Sequence, residues 1–377
     1  MKKFLWITIL GFVLAALAAN GAPQPLAPPA TPANAECDCS NLKALQIELR
    51  NALRLQEAMR NKIPELRALN HPTSISRYKT FTETDARRDL EPIPGYEKLS
   101  KADKALLQFD YDPQGFALSD PTHPPANKSD AELCALSAFA AGEFARMKNL
   151  TVCRGIGAAL EAHEDVHKHS CERGFIAFFG KNGADRAQEE VEAYGAQIAV
   201  LRAEIAKVLE HANVRIETET NSRMSMPPNP LYTAIVVENR AVVPMSSVSV
   251  SGDLIKFEGE GKQTNNATVE GHCKFTGGLP FTITLRGSIE TEGLEARIRL
   301  ALMGTLPGIA MECATPAGTG HGMPIPVNVG GGTIPLITLP LENGAEKVFD
   351  QSNSPAAQQG PVRITGMSKI RLIFCEK

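Results

Sequence analysis

The segment His163-Glu164-Asp165-Val166-His167 carries the side chains best suited to chemistry in this chain. On an α-helix, residues four positions apart lie one turn apart on the same face, so both imidazoles could bind one metal ion. Glu164 lies beside that face, where its carboxylate could take a proton from water without binding the metal. The spacing therefore predicts a metal site that activates water.

A helical projection places both histidines in the apolar stripe of the predicted helix. At about 100° per residue, and with His163 set at zero, His167 lies at about 40°. Ile156 and Leu160 lie on the same face, at about 20° and 60°. The charged residues of the segment project to the opposite face: Glu161, Asp165 and Lys168. Because a buried polar group without a partner costs about 1–3 kcal/mol, two inward histidines favour a shared ligand.

The next predicted helix supplies one carboxylate that faces the core. Its apolar stripe contains Val191, Tyr194, Ile198, Leu201, Ile205 and Val208. Glu190 lies within about 55° of the centre of this stripe, whereas Glu189 and Glu192 lie roughly 145° to 155° away. A buried carboxylate needs a cation, so Glu190 is the expected third ligand of a His₂Glu zinc site. We expect the other two glutamates on a solvated face.

The pairing of HEDVH with EVEAY, which begins 23 residues after His167, resembles the gluzincin zinc metallopeptidases. The resemblance covers about residues 155 to 210. It implies His163, His167 and Glu190 as ligands of Zn²⁺, with Glu164 as the general base that hydrolyses a peptide or protein substrate. Tyr194 stands where that family has an aspartate that supports a ligand histidine, and its place in the stripe favours core packing.

Two other interpretations fit the same residues. Cys171 continues the i,i+4 series from His167, so His163, His167 and Cys171 could hold a closed structural zinc ion. A free thiol at Cys171 favours this arrangement, and a disulfide excludes it. Alternatively, the chain is a non-enzymatic, secreted binding or structural protein, stapled by disulfides, in which the metal site is vestigial or structural.

The N-terminus has the composition of a secretory signal. Lys2 and Lys3 precede an apolar run from Phe4 to Leu17, and small residues follow, which predicts a signal peptide over residues 1–22. The apolar run is too short for a stable membrane span after signal cleavage. We therefore expect a secreted or periplasmic protein.

Composition divides the 377 residues into further parts. The predicted parts are a Pro/Ala-rich linker at 23–36, a helical metallopeptidase-like domain at 37–222 and a β-sandwich-like domain at 230–377. Helical periodicity is found at 41–69, 130–147, 155–172 and 185–211. Five strand-like runs follow: TAIVVENRAVV, VSVSGDLIKFEGEG, PFTITLRGSI, EARIRLALM and KIRLIFC. The predicted fold class is α+β with two domains, a helical zincin-like metal domain and an all-β sandwich or barrel-like domain.

Charge and cysteine content limit the partners and the compartment. A formal net charge of −3 and an isoelectric point near 6.3 give no reason to expect nucleic acid or a polybasic membrane contact. The eight cysteines, an even number, predict disulfides in an oxidising compartment. Proximity along the chain favours a bond between Cys153 and Cys171.

Overall fold

The computed structural model describes most of the chain after the predicted linker. The described residues are 35–107, 111–225, 232–251, 254–276, 280–292, 294–303, 310–315, 318–321, 336–350, 352 and 363–376. The predicted signal peptide at 1–22 and nearly all of the linker at 23–36 lie outside them. No helix in the described part combines the length and the apolar composition that a membrane-spanning segment needs.

The helices all lie on the N-terminal side of the described strands. They are α1 (Leu42–Arg67), α2 (His71–Thr80), α3 (Lys101–Leu106), α4 (Asp130–Cys134), α5 (Ala138–Leu150), α6 (Arg154–Glu172), α7 (Phe175–Phe179) and α8 (Gly183–Glu210). A π-helical turn, Phe81–Asp85, follows α2, and a 3₁₀ turn, Gln114–Ala117, precedes α4. The predicted helices α1, α6 and α8 are confirmed to within about two residues.

The single helix predicted over 130–147 is wrong, because the chain forms two helices there. The first, α4, ends at Cys134. Ser137 then caps the second, α5, by accepting a hydrogen bond from the Ala140 amide. A serine that bonds to the backbone in this way starts a new helix instead of continuing the old one.

The strands form one large antiparallel sheet and one small sheet. They are β1 (Arg215–Ser225), β2 (Tyr232–Pro244), β3 (Ser247–Ser251), β4 (Leu254–Gly271), β5 (Cys273–Thr276), β6 (Phe281–Glu292), β7 (Glu295–Met303), β8 (Ala310–Thr315), β9 (Gly318–His321), β10 (Ile337–Pro340), β11 (Glu346–Asp350) and β12 (Arg363–Ile373). The large sheet has the order β10-β7-β6-β4-β2-β1-β12-β11, with β3 paired to β4, and it is nearly closed like a barrel. The small sheet has the order β5-β8-β9.

The helices and the large sheet share one hydrophobic core. Leu45 and Leu49 of α1 and Leu201 of α8 belong to the same buried cluster as Phe257 and Leu285 of the sheet. The amide of Gln46 on α1 also donates a hydrogen bond to the carbonyl of Leu341. The α+β class is thus confirmed, and β1, which lies mostly inside the segment predicted as helical, belongs to the sheet.

Four disulfides join distant parts of the chain: Cys37–Cys153, Cys39–Cys375, Cys134–Cys171 and Cys273–Cys313. The expected bond between Cys153 and Cys171 is wrong. These two residues flank or end α6, and eighteen residues of helix separate their Cα atoms by about 27 Å. A disulfide requires about 4.4–6.8 Å, so proximity along the sequence was misleading across a helix.

Removal of the Cys134–Cys171 bond should destabilise the protein. We expect a Cys134→Ala/Cys171→Ala variant to lose about 2–4 kcal/mol of unfolding free energy, measured in urea. A matched Cys273→Ala/Cys313→Ala variant opens a loop of similar length, 40 instead of 37 residues, in the small sheet, and should lose a similar amount. An unfolding free energy that is unchanged in the Cys134→Ala/Cys171→Ala variant would contradict the expectation.

Candidate metal site

The helix α6 presents both histidines of the HEDVH segment to the interior. Its buried positions include Ile156, Ala159, His163, His167 and Cys171, which recur at the spacing of one helix face. Each histidine is only 9% exposed, as the projection predicted. On the other side of the helix, Asp165 and Lys168 are exposed.

The helix α8 brings Glu190 against the two histidines. The Asn182 side chain caps the start of α8 by accepting hydrogen bonds from two backbone amides, and the helix packs against α6. His163 Nε2 lies 3.5 Å from Glu190 Oε2, and His167 Nε2 lies 3.5 Å from Glu190 Oε1. The two Nε2 atoms are 3.3 Å apart. The predicted trio is therefore brought together.

The arrangement of these atoms fits a metal ion. One nitrogen or oxygen atom from each of the three residues can be chosen so that all lie within 4.8 Å of one another. Ligands at about 2.0–2.1 Å from a tetrahedral ion are separated by about 3.3–3.4 Å, close to the nearest contacts observed here. Both Nε2 atoms point at one another, and two unprotonated nitrogens facing each other need a cation or a proton between them.

The environment of Glu190 keeps its carboxylate ionised. Tyr78 of α2 donates a hydrogen bond to Glu190 Oε1 at 3.1 Å. Burial alone raises the pKa of Glu190, but the hydrogen bond from His163, the two histidine charges and the Tyr78 bond outweigh it and hold the pKa at about 2. An ionised, buried carboxylate is the form that binds a metal.

Glu189 is buried, contrary to the prediction of a solvated position. It is 7% exposed, and its Oε1 lies 3.3 Å from His167 Nδ1. Lys181 donates to Glu189 Oε2 at 2.8 Å and also to Ser170 Oγ at 2.6 Å. The helical projection considers only the apolar stripe of α8. It ignores the segment that precedes α8, from which the Lys181 side chain covers this side of the helix. By contrast, Glu192 is exposed, as predicted.

This contact gives His167 the carboxylate support that Tyr194 cannot provide. Burial lowers the pKa of His167, but the Glu189 hydrogen bond and the charges of Glu190 and Glu164 raise it to about 9. A carboxylate at the far nitrogen of a metal-binding histidine fixes the ring and makes it a better ligand. Tyr194 is buried, as expected, and its ring centre lies 4.6 Å from that of His163.

The three residues open into a large cavity. It has a volume of about 1010 Å³, and Glu164 lines it together with His163 and His167. The proline-rich region at 70–129 forms much of the opposite wall, including Tyr78 and Tyr111. The Tyr111 ring stacks on that of His167 with the centres 6.4 Å apart.

Helix α2 approaches α8 so closely that a Cβ at Gly183 would clash with the carbonyl of Ser74.

The structural zinc site that uses Cys171 is excluded, because Cys171 is bonded to Cys134. His169 of the same helix is exposed, and its Nδ1 lies 2.6 Å from the Asp165 carbonyl oxygen. No strand precedes α6 in the described part of the chain. The site therefore lies on helices alone.

A second buried carboxylate, Glu48 of α1, lines the same cavity. It is 9% exposed, and Gln197 of α8 donates a hydrogen bond to its Oε1 at 3.0 Å. Burial raises the pKa of Glu48 to about 7, and the Gln197 hydrogen bond only partly opposes this rise. Sequence periodicity placed α1 correctly but gave no reason to select Glu48.

The Glu48 carboxylate should make stability depend on pH. Because its pKa is raised from 4.5 to about 7 in the folded state, the protein loses stability as pH rises from about 4.5 to 7. A Glu48→Gln variant lacks this loss. At about 1.4 kcal/mol per pH unit, we expect it to be as much as about 3 kcal/mol more stable than the wild type at pH 8. At pH 4.5 this contribution to the unfolding free energy should differ little between the two proteins. Urea denaturation at pH 4.5 and at pH 8 measures the difference. A gap of equal size at both would contradict the expectation.

Glu189 should contribute to metal affinity without binding the metal. We expect Glu189→Gln to lower the affinity for a divalent metal ion, with zinc as the probe, by about 10- to 100-fold, because an amide oxygen accepts a hydrogen bond from His167 Nδ1 less strongly than a carboxylate does. The matched control is Glu192→Gln, an identical change at an exposed position on the same helix. Competition titration with a zinc chelator measures both, and an affinity that is unchanged in Glu189→Gln would refute the assigned role.

Comparison with family models, with curated proteins and with solved structures finds no match to this chain. The gluzincin resemblance thus rests on the residues of α6 and α8 themselves. The chemistry of the site has to be inferred from its own geometry.

Proposed function

We propose that the protein is a zinc-dependent peptidase that hydrolyses peptide bonds outside the cytoplasm. One observation carries the proposal: His163, His167 and Glu190 converge at 3.3 to 3.5 Å on the wall of a large cavity. Glu164 lines the same cavity, one residue from His163. Ligands and a base at one cavity are the parts that metal-assisted hydrolysis needs.

The donor set favours zinc among the common metals. Two imidazole nitrogens and one carboxylate form the His₂Glu set of catalytic zinc sites, which leave one position for water or substrate. Calcium and magnesium prefer oxygen ligands throughout. Among the described residues the cluster has three ligands, and Cys171 cannot supply a fourth because it is in a disulfide. This favours a catalytic rather than a closed structural site.

The residues divide the reaction between them. A bound zinc ion supplies a Lewis acid that acidifies water and polarises the carbonyl of the substrate. Glu164 takes a proton from the attacking water while the oxygen of that water bonds to the carbonyl carbon of the substrate. Glu164 then delivers that proton to the amine nitrogen as the C–N bond breaks. Glu189 holds His167 in place throughout, and Tyr78 holds Glu190.

The disulfides support a compartment outside the cytoplasm. Four bonds join all eight cysteines, which is compatible with an extracellular or periplasmic protein. The predicted signal peptide would provide the export. The substrate would then be a peptide or protein of that compartment.

Metal content and proteolysis of three variants test the proposal. We expect about one zinc per chain in the wild type, none in His163→Ala and the full amount in Glu164→Gln. Cleavage of an unfolded protein substrate should fall by a factor of 100 or more in both variants, on the order of the contribution of a general base. His169→Ala removes an exposed histidine from the same helix and should change neither quantity.

Two results would contradict the proposal. A wild-type protein that takes up no zinc after reconstitution has no such site, and the non-enzymatic interpretation would stand. A protein that binds zinc but retains its proteolysis in Glu164→Gln would use another base.

A further inference from the structure

The cavity that contains the metal site also holds a buried carboxylate without a cation. Glu48 forms no ion pair with any described lysine, arginine or histidine, and its one hydrogen bond to a side chain comes from Gln197. The other buried acids in the cavity wall are engaged. Glu189 pairs with Lys181, and Glu190 contacts the histidines. Glu48 is thus a negative group that the protein itself does not neutralise.

The helix α8 fixes the position of Glu48 relative to the metal site. Glu190, Tyr194 and Gln197 recur at i, i+4 and i+7, so they line one face of α8 and of the cavity. Seven residues of helix span about 10 Å. Tyr194 lies between Glu190 and Gln197 along this face, and its burial and the charges of Glu190, Glu164 and Glu48 raise its pKa.

A distance of about 10 Å equals about three residues of extended peptide. An extended substrate with its scissile bond at His163 and His167 would therefore reach Glu48 with a side chain at most about three positions away. A positively charged side chain would neutralise the buried carboxylate there. Leu160 and Tyr194 also line the cavity.

We propose that Glu48 is the specificity determinant of the cavity and binds the ammonium or guanidinium group of a basic residue within about three positions of the scissile bond. This inference rests on the proposed peptidase function for its substrate, but the cation site itself does not depend on it. Gln197 orients the carboxylate by its hydrogen bond. Arg87, whose charge also acts on Tyr194, lines the same cavity.

Agmatine, which carries a guanidinium and an ammonium group, probes the site without any cleavage. We expect the full mature chain to bind agmatine at pH 8 by isothermal titration calorimetry, both with zinc and after chelation. Glu48→Gln should weaken that binding at least tenfold. The matched control is Glu83→Gln, the same change at an exposed glutamate of the same cavity, and it should keep the wild-type affinity. Folding is not in question for Glu48→Gln, since the variant should be the more stable protein at this pH.

Cleavage of a peptide series then tests the substrate. Each peptide is acetylated at its N-terminus and amidated at its C-terminus. One position in each peptide is varied between lysine and glutamine, and the series moves this position over the three residues on either side of the scissile bond. We expect kcat/KM to favour lysine over glutamine at least tenfold at one position, and this ratio to approach one in Glu48→Gln. If the ratio is close to one at every position, and removal of the acetyl group raises kcat/KM instead, the site binds an amino terminus and the proposal is wrong.

The results separate this inference from the proposed function. If the protein binds agmatine through Glu48 but cleaves no peptide, the cation site stands and the peptidase proposal fails. If it cleaves peptides but shows no agmatine binding, or binds agmatine equally well in Glu48→Gln, the inference about Glu48 is overturned and the peptidase proposal stands.

Discussion

A carboxylate and two imidazoles buried against each other between α6 and α8 impose the strictest constraint on this fold. An isolated charge in the interior costs several kcal/mol, so Glu190 can be buried only where positive partners lie within contact distance. The helices must therefore meet with the register that places His163 and His167 opposite Glu190. Slippage of one residue along α8 would replace Glu190 with an apolar residue, Val191, or with Glu189.

The disulfides hold α6 at both ends in this register. Cys153 immediately precedes the helix and is bonded to Cys37, which leads into α1. Cys171 lies in the last turn and is bonded to Cys134 of α4. The helix that carries the histidines is thus tied covalently at both ends to two different parts of the chain. Such attachment suits a site whose ligands must keep their separation in the absence of metal.

The sequence predicted which three side chains come together, because their chemistry and their helical periodicity agree. His163, His167 and Glu190 all lie on apolar faces of long helices, where a projection is reliable. The same projection failed at Glu189, because Lys181 comes from outside the helix and covers a side that the projection assigns to solvent. The projection also gave no reason to select Glu48, because the importance of this residue depends on the cavity between α1 and α8. Periodicity within one helix carries no information about contacts between that helix and other elements.

The disulfide pairing shows the same limit. Sequence distance suggested that Cys153 and Cys171 pair, yet a rigid helix keeps them far apart. The observed Cys39–Cys375 bond joins residues 336 positions apart, near the two ends of the described chain, which no local rule could select. The strands were predicted in part. The β-branched runs identified β2, β4, β6 and β7. By contrast, β1 has the mixed polar sequence RIETETNSRMS and is recognisable only from its two neighbours in the sheet.

Glu190 and Glu48 of the cavity are stabilised in different ways, and this difference argues for different roles. Glu190 is ionised at any ordinary pH, because the histidines and Tyr78 compensate for its desolvation. Glu48 has no such compensation, and at neutral pH its partial ionisation opposes folding. A glutamine would accept the same hydrogen bond from Gln197 without this cost. A position at which such a substitution should stabilise the fold is one at which function can conflict with stability. On this reasoning the carboxylate at Glu48 serves a ligand rather than the fold, since a bound cation would supply the compensation that the described residues leave out.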